Sequence, residues 1–314
     1  MNWRSIRAGP SLLEVDAEVM TMSHHFLMCR PEHFAVSYTI NPWMDPASWA
    51  REDRALAATS QREWAGLLDA MLDAGAKIHL VPAVPRLPDL VFTANAAVVL
   101  DGKALLARFR HAQRQGEQPH FAAAFRRLQG RGLIDTIRTL PENVALEGAG
   151  DCVFDHTRNL FWMGYGPRSD AAAREHVADA FGVEVLALEL ADPRFYHMDT
   201  ALCPLTNGEV IYVRGAFTPA GRAVIAERVA PDQRIELAAD DAGRLAANAV
   251  SIGTDIVLSG CSERMRATLE ERGYRVIATP LDSFLRSGGS AFCLTLRLDR
   301  GSATRDLAMT GTAA

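Results

Sequence analysis

The chain has 314 residues, 48% of them apolar and 23% charged, which is enough for a large hydrophobic core. The net charge is −5 and the basic residues are scattered, which argues against partners such as nucleic acid or an anionic membrane surface. Five widely spaced cysteines without a C-x-x-C pair argue against a disulfide framework and a structural zinc site.

No apolar stretch approaches the ~20 residues that a membrane-spanning helix needs, and the first residues do not have the pattern of a signal peptide. We therefore expect a cytoplasmic protein with reduced thiols. Residues 1–24 lack periodicity and are predicted to be an N-terminal extension, followed by a single domain over residues 25–299. The small, polar residues 300–314 are predicted to be a C-terminal tail.

A degenerate repeat runs through the predicted domain. Each copy contains a hairpin that begins with Asn or Asp, at Asn95, Asp151, Asp199 and Asn248, and Cys293 continues the series. The spacing between successive members is 45 to 56 residues. Asp-Gly and Asn-Gly dipeptides at 101–102 and 207–208 are strong signals for hairpin turns.

An amphipathic helix separates each hairpin from a further strand. Helices are predicted over residues 61–73, 121–128, 170–181, 219–229 and 262–272, and following strands over 77–81, 183–187 and 274–277. Five such units should close around an axis as an α/β propeller. The alternative is a doubly wound open sheet, which the hairpins disfavour because its parallel strands are joined by helices alone.

Cys293 lies in the segment from Ser287 to Leu296, where glycine and serine precede an alternating apolar stretch. The thiol is thus expected where a loop enters a half-buried strand, a place suited to a nucleophile and equally to an inert core cysteine. A possible base, His197, and a possible orienting carboxylate, Glu147, favour the nucleophile. On a strand, His197 and Asp199 would share one face.

These residue types suit chemistry on a guanidinium group. A buried carboxylate such as Asp199 can bind the planar cation, and the thiolate of Cys293 can attack its carbon. His197 would then protonate the leaving nitrogen and deprotonate water, with Glu147 keeping the imidazole protonated and oriented. A role in a turn or in packing is the commoner explanation for any one of these residues, but the set favours catalysis.

At these residues the sequence resembles the guanidino-group-modifying enzymes, which include arginine deiminase, dimethylarginine dimethylaminohydrolase and amidinotransferase. The resemblance extends from about Phe26 to about Leu298. The segments that carry it are Cys29 to Pro31, Tyr38 to Met44, Phe92 to Ala96, Glu147 to Asp151, His197 to Asp199 and Gly288 to Cys293. It implies a five-bladed α/β propeller of ββαβ repeats, the pentein fold, around a central active-site cleft. It also implies Cys293 as nucleophile, His197 as acid and base, Glu147 as its partner and Asp199 as guanidinium ligand.

One position departs from the deiminases, which have an aspartate where this chain has Asn95. In this respect the sequence is most similar to cyanobacterial arginine dihydrolases, which convert arginine to ornithine, carbon dioxide and two ammonia. An amide can donate as well as accept, so it suits a neutral ureido intermediate. The resemblance implies that Asn41 and Asn95 bind substrate and that Arg114 and Arg168 hold its α-carboxylate.

Other functions stay open at this point. They are hydrolysis of dimethylarginine, arginine deimination, amidino transfer to an amine and ligand binding without catalysis. The expected partner is a small guanidino compound, and association into a homo-oligomer is left open. No metal or cofactor is expected, because the substrate is already a cationic electrophile and the nucleophile is a thiolate.

Overall fold

The computed structural model describes residues 24–303, which form five sheets of three strands each. The strands are His24–Cys29 (β1), Ala76–Val81 (β2), Ala97–Leu100 (β3), Lys103–Leu106 (β4), Thr136–Arg138 (β5), Cys152–Asp155 (β6), Leu160–Tyr165 (β7), Glu184–Glu189 (β8), Leu202–Pro204 (β9), Val210–Tyr212 (β10), Arg234–Glu236 (β11), Val250–Ile252 (β12), Asp255–Leu258 (β13), Arg275–Ala278 (β14) and Leu296–Arg297 (β15).

Helices join the sheets and connect strands within each sheet. They are Pro46–Arg51 (α1), Asp53–Asp73 (α2), Ala112–Gln115 (α3), Gln118–Gly130 (α4), Ala173–Phe181 (α5), Met198–Ala201 (α6), Pro219–Arg228 (α7), Ala239–Ala242 (α8), Glu263–Glu271 (α9) and Asp282–Leu285 (α10). Short 3-10 turns are formed by Pro88–Val91, Thr93–Ala96, Gly148–Gly150, Arg214–Ala216 and Pro231–Gln233.

All five sheets have the same construction. An antiparallel hairpin is followed by a helix and by a third strand parallel to the second strand of the hairpin, as in β3, β4 and β5. Four sheets use consecutive strands, whereas the remaining one pairs β15 from the far end of the domain with β1 and β2. This arrangement confirms the predicted α/β fold of five ββαβ blades, and the doubly wound open sheet is not found.

The predicted helices are confirmed, with shifted ends. The helix predicted over 61–73 begins earlier, at Asp53, because the segment from Asp53 is rich in alanine, a strong helix former. The start of α9 follows the usual chemistry, since Ser262 caps it by accepting a hydrogen bond from the amide of Met265. The left-handed Gly182, with φ of 72°, ends α5.

The hairpin heads differ from the sequence prediction. Thr93–Ala96, Gly148–Gly150 and Met198–Ala201 are single helical turns rather than the first residues of strands. Small and polar residues stabilise such turns locally, as Thr200 does by donating to the carbonyl of His197 at 2.7 Å. The prediction that His197 and Asp199 share a strand face is therefore wrong, although one helical turn still directs both residues into the same site.

Cys293 also lies in a turn, since β15 begins only at Leu296. The hydroxyl of Thr295 donates to the carbonyl of Ala291 at 3.2 Å and stabilises this turn, so the predicted strand is much shorter than expected. No helix among residues 24–303 is long and apolar enough to cross a membrane.

Candidate active site

The heads of the five blades meet at the centre and are joined by hydrogen bonds from one blade to the next. Around the ring these bonds are Asn95 Nδ2 to Glu147 O (3.1 Å), His197 Nε2 to Glu147 Oε2 (2.8 Å), Asn248 Nδ2 to Asp199 O (3.1 Å), Cys293 N to Asn248 Oδ1 (3.1 Å) and Ala94 N to Cys293 O (3.1 Å). The structure thus brings together residues that are up to about 200 positions apart in the sequence.

The thiol of Cys293 is buried and has two polar neighbours. Its Sγ donates to Asp199 Oδ2 at 3.2 Å and accepts from Asn248 Nδ2 at 3.1 Å. Burial raises the pKa of the thiol well above its usual value, and the nearby Asp199 raises it further. In this arrangement the sulfur is a neutral thiol, so a positive charge beside it is required before it ionises near neutral pH.

The carboxyl group of Asp199 is fully buried, and no arginine, lysine or histidine of residues 24–303 forms an ion pair with it. Burial raises its pKa to about 7, against the lowering effect of hydrogen bonds from Cys293 and Asn248. Oδ1 has no hydrogen-bond partner within the described residues. A buried acceptor of this kind is suited to a cationic ligand.

The imidazole of His197 is oriented by Glu147, whose Oε2 lies 2.8 Å from Nε2. Burial lowers the pKa of His197 to about 4, outweighing the raising effect of Glu147. The expectation that Glu147 keeps this ring protonated is therefore wrong, because burial and the nearby arginines dominate. Since Glu147 is ionised, Nε2 carries the hydrogen, and Nδ1 is a buried lone pair without a partner among the described residues.

Glu147 is surrounded by positive charge. Burial raises its pKa, but Arg168 above all, then His197 and Arg114, lower it far below its usual value. Arg168 Nη1 donates to Glu147 Oε2 at 2.8 Å, and its Nη2 donates to the carbonyl of Ile40 at 3.3 Å. The Arg168 guanidinium also lies 4.5 Å from the centre of the Tyr196 ring. Its remaining N–H groups carry no hydrogen bond within residues 24–303.

Arg114 is more fully occupied than Arg168. Its Nε and Nη2 donate to the two oxygens of Glu117 at 2.9 and 2.8 Å, and Nη1 donates to Asn95 Oδ1 at 2.8 Å. A further bond from Nη2 reaches the carbonyl of Asp89 at 3.1 Å. Arg114 thereby fixes the amide of Asn95, whose Nδ2 keeps one N–H beyond the bond to Glu147.

Asn41 connects a loop to the segment that carries Cys293. Its Nδ2 donates to the carbonyl of Ser287 at 3.0 Å, and its Oδ1 accepts from the amide of Trp43 at 2.9 Å. The indole of Trp43 donates to the carbonyl of Arg194 at 2.8 Å, close in sequence to His197. The loop is therefore tied to both sides of the site.

Two glycines allow the second head to approach the first. Gly148 has φ of +63°, and a Cβ there would lie 2.7 Å from the carbonyl oxygen of Ala94. A Cβ on Gly150 would overlap the amide of Asn95. The contact between the two heads therefore requires glycine on both sides of Ala149.

Asn248 is a site residue that the sequence prediction missed, although it contacts the sulfur and the amide of Cys293. Its place at the head of the fourth hairpin was the signal that could have identified it. Tyr196 was missed as well; its hydroxyl donates to the carbonyl of Gly288 at 2.8 Å. Asp151, another hairpin head, has a structural part, since it accepts from the amide of Met198 at 3.1 Å and from Ser169 Oγ at 2.5 Å.

Comparison with known proteins identifies the family of this chain. The family model described as N,N dimethylarginine dimethylhydrolase, eukaryotic, matches residues 30–300. The chain belongs to the dimethylarginine dimethylaminohydrolase family. The resemblance to guanidino-modifying enzymes is thereby confirmed.

Several members and relatives of this family are similar over most of the chain. The N(G),N(G)-dimethylarginine dimethylaminohydrolase of Mycobacterium tuberculosis is 35% identical over 88% of this chain and 86% of its own length. The bifunctional arginine dihydrolase/ornithine cyclodeaminase AgrE of Nostoc sp. is 41% identical over 89% of this chain. The solved N-terminal domain of ArgZ, a cyanobacterial arginine dihydrolase bound to substrate, has a TM-score of 0.83, is 37% identical, and covers 89% of this chain and 99% of that domain.

The match to AgrE covers only 38% of that protein. The chain therefore corresponds to one part of the bifunctional relative. Within residues 24–303, no group of three or more His, Cys, Asp or Glu side chains is placed to hold a metal ion.

Proposed function

We propose that the protein hydrolyses arginine to ornithine, carbon dioxide and two ammonia. The observation that carries this proposal is the buried, unpaired carboxyl group of Asp199 in contact with the thiol of Cys293. Such a pair suits a substrate that supplies a positive charge and an electrophilic carbon together. Further support comes from the similarity to AgrE and to the ArgZ domain, both named as arginine dihydrolases.

In the first step the guanidinium group binds against Asp199. Its charge offsets the burial that raises the pKa of the Cys293 thiol, and the neutral Nδ1 of His197 accepts the thiol proton. The thiolate then attacks the guanidinium carbon. The imidazolium returns the proton to the leaving nitrogen, and ammonia departs from a covalent thiouronium.

In the second step His197, neutral again, removes a proton from water. The resulting hydroxide attacks the thiouronium carbon, the C–S bond breaks, and a neutral ureido group remains. In a second cycle Nδ1 of His197 again accepts the thiol proton, and the imidazolium formed in this way supplies the positive charge that the neutral ureido group lacks. The thiolate expels the other ammonia and forms a thiocarbamate, which water converts to a carbamate. The carbamate loses carbon dioxide and leaves ornithine, so two water molecules are consumed for each arginine.

We propose that Asn95 retains the ureido intermediate. A carboxylate at this position would favour the cation over the neutral group, whereas the free N–H of the amide can donate to the ureido oxygen. Arg168 is proposed to bind the substrate α-carboxylate, because most of its N–H groups are unoccupied within the described chain. Arg114 would contribute mainly through the one N–H it has left, and Asn41 through its position in the adjoining loop.

Dimethylarginine hydrolysis is the second candidate, because the Mycobacterium tuberculosis relative with that activity in its name matches nearly end to end. The test is to measure ammonia, citrulline, ornithine and dimethylamine from the same reactions. Two ammonia per ornithine from arginine, with little citrulline, would support the proposal. One ammonia per citrulline would indicate a deiminase, and a much higher kcat/KM for dimethylarginine would indicate a dimethylarginine hydrolase.

Amidino transfer is distinguished by adding an acceptor amine. A new guanidino compound that forms only when the amine is present would show that the enzyme transfers the amidino group and does not hydrolyse it. We also propose that residues 25–299 form the catalytic unit and that the protein acts in the cytoplasm. The fold extends slightly beyond these bounds, since β1 begins at His24 and both Arg300 and Ser302 bond to Asp101, while residues 1–23 and 304–314 lie outside the described residues. Association into a homo-oligomer stays a prediction.

A further inference from the structure

A second cavity lies at the turn ends of the hairpins, away from the heads that hold Cys293. Its volume is about 330 Å³, within the lower range of small-molecule sites. The lining comes from several blades and from the segment after β15: His24, Phe154, His156, Pro204, Leu205, Thr206, Ser251, Gly253, Arg297, Asp299, Arg300 and Gly301. None of the candidate active-site residues lines this cavity.

The cavity is lined by two arginines, Arg297 and Arg300, and by one carboxylate, Asp299. Arg297 Nε donates to Asp299 at 3.1 Å, and its Nη2 lies 2.6 Å from His24 Nδ1, so Asp299 is balanced by Arg297. The side chain of Arg300 has no hydrogen bond or ion pair with any residue of the described chain. Burial lowers the pKa of Arg300 to about 10 and the charge of Arg297 lowers it further, whereas Cys203, Asp299 and Asp155 raise it. No carboxylate of the described chain lies within ion-pair distance of the Arg300 guanidinium, so this cation has room for an anionic ligand.

The backbone around Arg300 is fixed. Its carbonyl accepts from the amide of Asp101 at 2.9 Å. The amide and hydroxyl of Ser302 both bond to the carboxylate of Asp101 at 2.7 Å. The segment after β15 is thus anchored to the turn between β3 and β4, which sets where the Arg300 side chain begins. The backbone of Arg300 therefore does not have to become ordered when a ligand binds.

The remaining walls are partly apolar and partly hydroxylic. Phe154, Pro204 and Leu205 supply apolar surface, and the hydroxyls of Thr206 and Ser251 lie 3.1 Å apart. We propose that this cavity binds a small anion, a carboxylate or a phosphate, with Arg300 as the principal ion-pair partner. The apolar wall and the volume favour an organic anion over a bare inorganic one.

Binding is tested by titration calorimetry with inorganic phosphate and with glutarate, at an ionic strength held constant with chloride. Arg300→Gln removes the charge and should raise Kd at least tenfold for the anion that binds. Arg214→Gln is the matched control, because Arg214 is exposed and does not line the cavity. It should bind like the wild type. Tighter binding of glutarate would identify carboxylates as the class, and tighter binding of phosphate would identify phosphates.

Several outcomes would overturn the site. They are equal binding by wild type and Arg300→Gln, equal weakening in both variants, and inhibition competitive with arginine, which would place the anion in the catalytic cleft. If Arg300→Gln does not fold, Arg300→Lys, which keeps the charge, should retain binding. A crystal soaked in the tighter anion should show it within hydrogen-bond distance of Arg300, and a protein side chain in that place would refute the proposal.

Discussion

The two buried carboxylates of the candidate active site, Glu147 and Asp199, have pKa values shifted in opposite directions. Glu147 lies 2.8 Å from both Arg168 and His197, and these neighbours hold its pKa far below the usual range. Asp199 has the thiol of Cys293 instead, and burial raises the pKa of this carboxyl to about 7. Both groups are fully buried, so the presence or absence of a cationic partner explains the difference.

The comparison indicates where substrate charge belongs. The Glu147 side is already neutralised by the protein itself, and a guanidinium there would meet Arg168. Asp199 has no ion-pair partner among the described residues, and a guanidinium there would stabilise the carboxylate and the thiolate at once. In the proposed mechanism, the Cys293 thiol is therefore ionised once the cationic guanidinium is bound.

Removing the nucleophile should have the largest effect. Cys293→Ala is expected to abolish turnover of arginine, because no other group in the cleft can form the covalent intermediate. Cys261→Ala is the matched control, since Cys261 lies outside the cleft, and it should keep full activity. Ammonia release measures both. Substantial turnover by a folded Cys293→Ala protein, with an unchanged circular dichroism spectrum, would exclude the covalent mechanism.

The Glu147 side is tested through its histidine. His197→Asn should lower kcat by a factor of about 100 to 10,000, the range for loss of a positioned acid and base. The partly exposed His176 on α5 provides a control, and His176→Asn should leave kcat unchanged. Steady-state kinetics separate the parameters. A change in KM alone would mean that His197 binds substrate without transferring protons.

The Asp199 side is tested through pH. Between the ordinary aspartate pKa of 3.8 and the folded value of about 7, the native protein binds more protons than the unfolded chain. Wild-type stability should therefore fall relative to Asp199→Asn as pH rises through this window, by about 2 to 4 kcal/mol. Thermal unfolding from pH 4 to pH 8 measures it. A constant difference between the two proteins would contradict an uncompensated carboxylate.

Asn248 offers a further test of the Asp199 side, because it donates a hydrogen bond to the sulfur of Cys293. Asn248→Ala should lower kcat by about 10- to 100-fold, the equivalent of one hydrogen bond to a charged group, with little change in KM. The rate of thiol alkylation at Cys293 should fall in parallel, and Asn248→Ser should recover part of both. Loss of activity with unchanged alkylation would show that Asn248 acts on folding or on another step.

The smallest effect is a change of products. Asn95→Asp adds a carboxylate that favours the cationic substrate over the neutral ureido group, so more citrulline should escape. In the wild type the Asn95 amide donates to the carbonyl of Glu147, whereas a carboxylate cannot donate and would face that oxygen. We therefore also expect some loss of rate. Chromatography of citrulline and ornithine gives the ratio. An unchanged ratio would remove Asn95 from the choice between one and two cleavages.

The repeat was predictable because its signals are local. Hairpin turns, helix caps and apolar periodicity each depend on a few neighbouring residues, and five copies reinforce one another. The short helical turns at the blade heads were missed, because each is a single turn stabilised by a few local contacts, such as that of Thr200 with His197, and is too short to show helical periodicity. The sequence predicted strands at Met198 and Cys293, and the structure has turns at both places.

Most residues that meet at the centre, though not Asn248 and Tyr196, were also named from sequence, but their electrostatics were not. Arg114 and Glu117 are three residues apart, and a pair of this kind can be anticipated on a helical turn. The pairing of Arg168 with Glu147 connects residues 21 positions apart, on either side of the β6–β7 hairpin, and cannot be anticipated from neighbouring residues. Burial of His197 is likewise a property of the whole fold, which is why its protonation state was predicted wrongly.

The pairing of β1 with β15 has a consequence for how the protein is made. Phe26 pairs with Arg297, so one blade is completed only by residues from the two ends of the domain. During synthesis from the N-terminus, four blades can assemble before the last strand leaves the ribosome, and such distant pairing is slow to form. Cys293 lies three residues before that strand. Cys293, the proposed nucleophile, is therefore synthesised together with the strand that completes the fifth sheet, and we expect a chain that lacks this segment to be inactive.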